Sequence, residues 1–136
     1  MRFGGGVEQI RGALDAVCGF LGTLGQGPEQ RGTIKIALAE ALNNIAEHAY
    51  AGQQPPGPVD LHATADGGIL QVILLDRGRA LPGLAPPPGL HHDLEVEPDS
   101  LPEGGFGWLL IRELTEDVSY IRTGGENRLT LVFSLE

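Results

Sequence analysis

From Val7 to Leu24 the apolar residues Val7, Ile10, Leu14, Val17, Cys18, Leu21 and Leu24 recur at helical spacing, which predicts a helix buried along one face. Gly25 and Gly27 end it, and Cys18, on the apolar side, is expected in the core. A second helix is predicted from Pro28 and Glu29, since proline is tolerated in a first helical turn. Its stripe is Ile34, Ala37, Leu38, Ala41, Leu42, Ile45 and Ala49, and "GQQPPGP" stops it. "VDLHATADGGILQVILLD" then reads as two strands around an Asp66-Gly67-Gly68 turn. The second strand, Ile69 to Leu75, is almost continuously apolar and is expected at the centre of a sheet. A proline-rich stretch without periodicity follows from Leu81 to Pro102, a length at which loops in compact domains are usually functional or disordered. "EGGFGWLLIREL" predicts a helix carrying Trp108, Leu109, Ile111 and Leu114. In "DVSYIRTGGENRLTLVFSL" a last hairpin turns at Gly124 and Gly125, and Leu129, Leu131 and Phe133 alternate with Thr130 and Val132. Two helices, a hairpin, a long loop, a helix and a hairpin make an α+β fold, a two-layer α/β sandwich. One domain is expected over residues 1–136.

Composition narrows the function classes. A formal net charge of −9 argues against a broad nucleic-acid contact, which needs clustered Lys and Arg. It leaves room for an anionic small ligand held by backbone N–H groups and a metal ion, and for a basic protein partner. No apolar stretch is long enough to span a bilayer, and "MRFGGG" lacks the apolar segment of a signal peptide. Cys18 is the single cysteine and cannot form an internal disulfide, so a cytoplasmic location is the simplest expectation.

Three short motifs carry candidate chemistry. The first is "EALNNIAEHAY", Glu40 to Tyr50, within the second helix. Four residues turn a helical position by about 40°, so Glu40, Asn44 and His48 form one slowly drifting line at the border of the apolar stripe. An asparagine oxygen is a hard, neutral ligand suited to Mg²⁺, and a carboxylate one turn earlier can accept a proton. A polar helix flank with satisfied side chains is the alternative. The second motif, "DRGR", puts Asp76 at the end of the central strand, where a carboxylate can accept a hydrogen bond from an exocyclic amine such as that of adenine. Gly78 permits a tight turn or close approach of a planar base. The third is "GGFG", Gly104 to Gly107, at a helix start, where exposed N–H groups and the helix dipole favour an anion. It lacks the Gly-Lys-Ser/Thr ending of a P-loop. His91 and His92 lie in the long loop, but adjacent residues rarely aim at one tetrahedral metal site.

Taken in order, Glu-x-x-x-Asn-x-x-x-His, a strand ending in Asp-x-Gly, a proline-rich lid, Gly-x-Gly at a helix start and a closing hairpin with a threonine resemble the Bergerat-fold ATPases. With "EALNNIAEHAY" and "EGGFGWLLIRELTEDVSY…GGENRLTLVF", the chain is most similar to the bacterial anti-sigma-factor serine/threonine kinases, from about Val7 to Phe133. The resemblance implies a mixed, mostly antiparallel sheet with ATP and Mg²⁺ as cofactors. It implies that Asn44 binds Mg²⁺, that Glu40 is the general base toward a serine or threonine hydroxyl, and that His48 lies near the phosphates or supports the helix there. It gives Asp76 the adenine amino group, with Gly78 beneath the base. Gly105 and Gly107 would wrap the phosphates under a lid of about residues 81–103, and Thr130 would reach the adenine side through water. The implied partners are a STAS-domain anti-anti-sigma protein and a sigma factor, with a homodimer possible and neither nucleic acid nor membrane bound directly. Two other readings stay open: a nucleotide-gated binding module that transfers no phosphate, and a detached histidine-kinase catalytic domain. Relatives usually carry an edge strand before the first helix, and here any such strand must be very short.

Overall fold

The structure, a computed structural model, describes residues 1–81 and 105–135. The lid expected at about 81–103, with His91 and His92, lies outside the described residues except for Leu81. Strand β1 (Arg2–Gly4) leads into helix α1 (Val7–Thr23) and helix α2 (Pro28–Asn44), which passes directly into a π-turn, Ile45–Ala49. Strands β2 (Pro58–Asp66) and β3 (Ile69–Asp76), helix α3 (Gly105–Leu114) and strands β4 (Asp117–Thr123) and β5 (Glu126–Ser134) complete the order. The edge strand is three residues long, paired through Arg2, Phe3 and Gly4 with Asp60, Val59 and Pro58.

The sheet runs β1-β2-β3-β5-β4, so the apolar strand β3 is central as expected. The expected admixture of parallel strands is absent from the described pairings, all of which are antiparallel. The reason is topological. The last hairpin lays its second strand, β5, against β3 and leaves β4 outside, so no strand meets a neighbour running its own way. Both hairpins turn on paired glycines with positive φ, Gly67 and Gly68 (59° and 78°) and Gly124 and Gly125 (60° and 78°). This geometry matches the twist of the strands and is open to glycine at little cost.

One sheet face is covered by the helices. Val59, Leu61, Leu70, Val72, Leu74, Leu129, Leu131 and Phe133 point inward at every second position and meet Ile10, Leu14, Val17, Leu21, Ile34, Leu38 and Leu42 in a single core cluster. Ala37 and Ala41 are fully buried on α2, where small side chains admit close neighbours. Two members of the α1 stripe fall at its ends and stay in solvent: Val7 is 73% exposed and Leu24 41%. Cys18, expected in the core, is only half-buried, because Ala13 and Val17 occupy the centre of the buried face and Cys18 flanks it.

Candidate functional site

The site is built where α2 stops being an α-helix. After Asn44 the chain widens into the π-turn, and the Tyr50 N–H donates to the Ile45 carbonyl at 3.0 Å. Single π-turns of this kind recur at functional sites. Here the wider turn delivers Tyr50 into the core, where its hydroxyl donates to the Pro58 carbonyl at 2.7 Å and accepts the Arg77 N–H at 2.9 Å. It also turns the Ala49 carbonyl outward to accept the Arg79 N–H at 2.7 Å. The segment following β3 is thereby tied to the end of the helix. Gly78 makes the approach feasible: a Cβ there would sit 2.3 Å from the Ala49 oxygen and 2.5 Å from its carbonyl carbon. The glycine of "DRGR" is required by helix–strand contact.

Asp76 ends β3 on the inward side and is 5% exposed. Its Oδ1 accepts the Gly78 N–H at 2.9 Å and an amide hydrogen of Asn127 at 2.7 Å. Asn127 is its register partner on β5 and is itself buried. No described residue donates to Asp76 Oδ2. Burial pushes the Asp76 carboxyl above the ordinary carboxylate range, and the hydrogen bonds from Asn127 and Gly78 and the Arg122 guanidinium oppose that rise only in part.

On α2, Asn44 donates from Nδ2 to the Glu40 carbonyl at 3.0 Å, one turn back. That bond orients the side chain and leaves Oδ1 as an acceptor with no donor among the described residues. The first turn of α3 crosses this pair. A Cβ on Gly107 would lie 2.8 Å from Glu40 Oε2 and 3.3 Å from Asn44 Nδ2, so the second glycine of "GGFG" lets the helix start lie directly on the two polar side chains. Gly105 opens α3, and the N–H groups of its first turn have no acceptor within the helix.

Between these elements is a cavity of about 720 Å³, the size range of small-molecule sites. Asn44 and His48 line it from the helix side, Asp76 and Asn127 from the sheet, and Ile45, Leu81 and Leu129 give it apolar walls. Of the residues singled out by sequence, Asn44, His48 and Asp76 therefore face one space. Glu40 and Gly107 touch each other beside it, and Gly78 supports its floor. Thr130 is not brought to the site. It alternates with the inward Leu129 and Leu131 and pairs with Ile73 and Ser119 on the opposite face of the sheet. The residue that sequence reasoning missed is Asn127, which shares the inward parity of Leu129, Leu131 and Phe133. Its phase was legible; its pairing with Asp76 was not.

A buried carboxylate with a raised pKa opposes folding while it is ionised. Between its unfolded value, about 4, and its raised folded value, the folded protein binds the extra proton, so this contribution to stability falls as pH rises through that window. Asp76→Asn keeps an oxygen for Asn127 and Gly78 and removes the charge. We expect its ligand-free Tm to match or exceed wild type at neutral pH, with an advantage that grows with pH through the window and then levels. Thermal melts of both proteins over a pH series check this.

Among the described residues no group of three or more His, Cys, Asp or Glu converges on a metal, and no helix is long and apolar enough to cross a membrane. Comparison with known proteins agrees with the geometry. Residues 5–133 match the histidine kinase-like ATPase domain family. The chain is 38% identical over 104 residues to the serine/threonine-protein kinase BtrW of Bordetella bronchiseptica, covering 74% of this chain and 68% of that protein. It is 28% identical over 113 residues to the serine-protein kinase RsbW of Oceanobacillus iheyensis, covering 82% and 70%. To the anti-sigma F factor of Halalkalibacterium halodurans it is 26% identical over 102 residues, covering 75% and 67%. A solved histidine kinase domain, from the blue-light activated histidine kinase EL346 of Erythrobacter litoralis, superposes with a TM-score of 0.54 at 21% identity. It matches 79% of this chain and 45% of its own, and shares the fold. A helix bearing Glu40 and Asn44, a buried carboxylate across the cavity and a match over residues 5–133 lead to one assignment: the chain belongs to the histidine kinase-like ATPase domain family, within its branch of anti-sigma-factor serine/threonine kinases.

Proposed function

We propose that this protein is an ATP-dependent serine/threonine protein kinase and anti-sigma factor. It phosphorylates a STAS-domain anti-anti-sigma protein and thereby controls a sigma factor by partner switching. The observation that carries the reading is Asp76: a buried carboxylate with one oxygen doubly hydrogen-bonded and the other without a donor among the described residues, at a cavity with apolar walls. Such a group discriminates for a ligand that brings an N–H, as the adenine amino group does, while Ile45, Leu81 and Leu129 suit the faces of a planar base.

The donor set also fits a hard cation. Mg²⁺ keeps most of its waters and takes few protein ligands, so a single oriented oxygen, Asn44 Oδ1, is sufficient when phosphates supply the rest. When bound there, Mg²⁺ neutralises charge on the phosphates. Glu40, one turn back, holds a carboxylate that accepts the proton of the attacking serine or threonine hydroxyl. His48 lines the same cavity and would lie near the phosphates or support the helix there. Gly105 and Gly107 at the start of α3 offer N–H groups to the phosphates without side chains in the way. The names of the relatives support the kinase and anti-sigma roles; the STAS substrate, the sigma factor, the cytoplasmic location and a single-domain organisation complete the proposal. A homodimer is compatible with it.

Asp76→Asn tests the nucleotide site. It should weaken ATP binding by about 1.5–3 kcal/mol, the worth of a hydrogen bond to a charged group, while leaving the protein folded. Titration calorimetry with Mg²⁺ and ATP measures it. Failure of folded wild type to bind ATP at millimolar nucleotide would remove the proposal altogether.

A further inference from the structure

Asn127 is committed at every polar atom. Its Nδ2 donates to Asp76 Oδ1 at 2.7 Å, to the Arg79 carbonyl at 2.9 Å and, more weakly, to the Gly78 carbonyl at 3.3 Å. Its Oδ1 accepts the Tyr120 hydroxyl and, at 2.9 Å, Arg122 Nη1. Arg122 Nη1 also donates to the Gly78 carbonyl at 2.7 Å, and the Tyr120 hydroxyl accepts the Leu81 N–H at 3.0 Å. With two donors on its oxygen, the amide cannot turn over, because a flip would set an NH₂ group against Tyr120 and Arg122. The direction of the Asn127 amide is therefore fixed by β4, and together with the Gly78 N–H it fixes in turn which carboxylate oxygen of Asp76 is occupied.

We infer that Asn127 is the positioning residue for base selectivity: by holding Asp76 Oδ1 with the Gly78 N–H it leaves Oδ2 facing the cavity as an acceptor only, so that the site takes a 6-aminopurine and rejects a 6-oxopurine. The inference rests on the nucleotide reading above and deepens it. Asp76 and Asn127 face each other in register on β3 and β5, and both are buried. Loss of the Nδ2 donor leaves the Gly78 N–H as the one remaining hydrogen bond to Asp76 Oδ1 among the described residues, so the buried carboxylate takes a proton more readily and can present an O–H where it had presented a lone pair. The charged and titratable groups around it are Arg122 and Tyr120 on β4, Glu126 on β5, Arg77 and Arg79 following β3, and His48 and Tyr50 from the helix end. Of these, Arg122 favours the ionised form and Glu126 opposes it. Asn127→Asp keeps the acceptor for Tyr120 and Arg122 and deletes the donor to Asp76. A like charge facing Asp76 raises its pKa further, so that the protonated carboxyl, which can carry its hydrogen on Oδ2, is present to higher pH.

The test is calorimetric affinity for ATP and for ITP, each with Mg²⁺, across a pH series, in wild type, Asn127→Asp and the milder Tyr120→Phe, which frees one side of the Asn127 oxygen. In wild type, ATP should bind better than ITP, and ATP affinity should fall as pH drops through the raised pKa of Asp76. Asn127→Asp should lower the ATP-over-ITP ratio at least about tenfold and move the midpoint of the pH profile upward. Tyr120→Phe should shift both in the same direction by less. A residue that merely holds the fold would lower Tm and weaken both nucleotides equally, with ratio and midpoint unchanged; that result in both variants overturns the inference. Wild type that binds neither nucleotide overturns the nucleotide reading itself, whereas selective wild type with fully selective variants overturns only the role of Asn127.

Discussion

Glu40→Gln should slow phosphotransfer by about 10²–10⁴-fold, the usual worth of a general base, while ATP and protein partner still bind. Glutamine matches the shape of glutamate and cannot take the proton. The helix should be undisturbed, because the hydrogen bond from Asn44 goes to the Glu40 backbone carbonyl and not to its carboxylate. The contact with α3 should also survive, since the side-chain amide can occupy the space beside Gly107 where Oε2 now lies. Single-turnover transfer from labelled ATP, set beside calorimetric ATP affinity, separates the two effects. A mutant that transfers at the wild-type rate would mean that the proton leaves by another group. Asn44→Ala provides the contrast. It removes a metal ligand and not a base, so it should lose the Mg²⁺-dependent part of nucleotide affinity.

Gly78→Ala should both destabilise the protein and abolish tight nucleotide binding. The added methyl would fall 2.3 Å from the Ala49 oxygen and 2.5 Å from its carbon. Those are backbone atoms, so no rotamer change relieves the clash, and the π-turn or the segment following β3 must move. Overpacking of this kind costs about 3 kcal/mol at the upper end of its usual range, which in a chain of this size lowers Tm by about 10 °C. Function suffers beyond stability. The Gly78 N–H holds Asp76 Oδ1, and its carbonyl accepts Arg122. A shift there loosens the carboxylate, the Arg79–Ala49 bond and the cavity floor together. Thermal melts and ATP titration report the two losses. A mutant with wild-type Tm would show that the contact is more yielding than its geometry indicates.

How much of this was legible in the sequence differs by kind of feature. Helical stripes and the two glycine turns were legible because burial imposes periodicity and positive φ favours glycine; Ile34, Leu38 and Leu42 are buried as their spacing predicts. The π-turn was not. An inserted residue leaves no periodic signature in five residues, and Ala49 still looked like one more position of the α2 stripe. Gly78 could be recognised as a residue that something approaches closely, but whether a base or the Ala49 carbonyl approaches it depends on tertiary packing. Thr130 shows a different kind of failure. The resemblance assigned it to the adenine side, yet its phase against Leu129 and Leu131 already put it on the other face of β5. Asn127 had the right phase, but its partnership with Asp76 depends on a register between two residues 51 positions apart, which no local pattern encodes.

Transfer of label from the γ-phosphate of ATP to a STAS-domain protein encoded in the same genome is the most direct measurement. We expect label on a serine or threonine of one such protein in the presence of Mg²⁺, dependent on Asp76 for nucleotide affinity and on Glu40 for rate. Folded protein that binds ATP yet labels no STAS-domain protein would contradict the kinase, and leave a nucleotide-gated binder built on the same cavity.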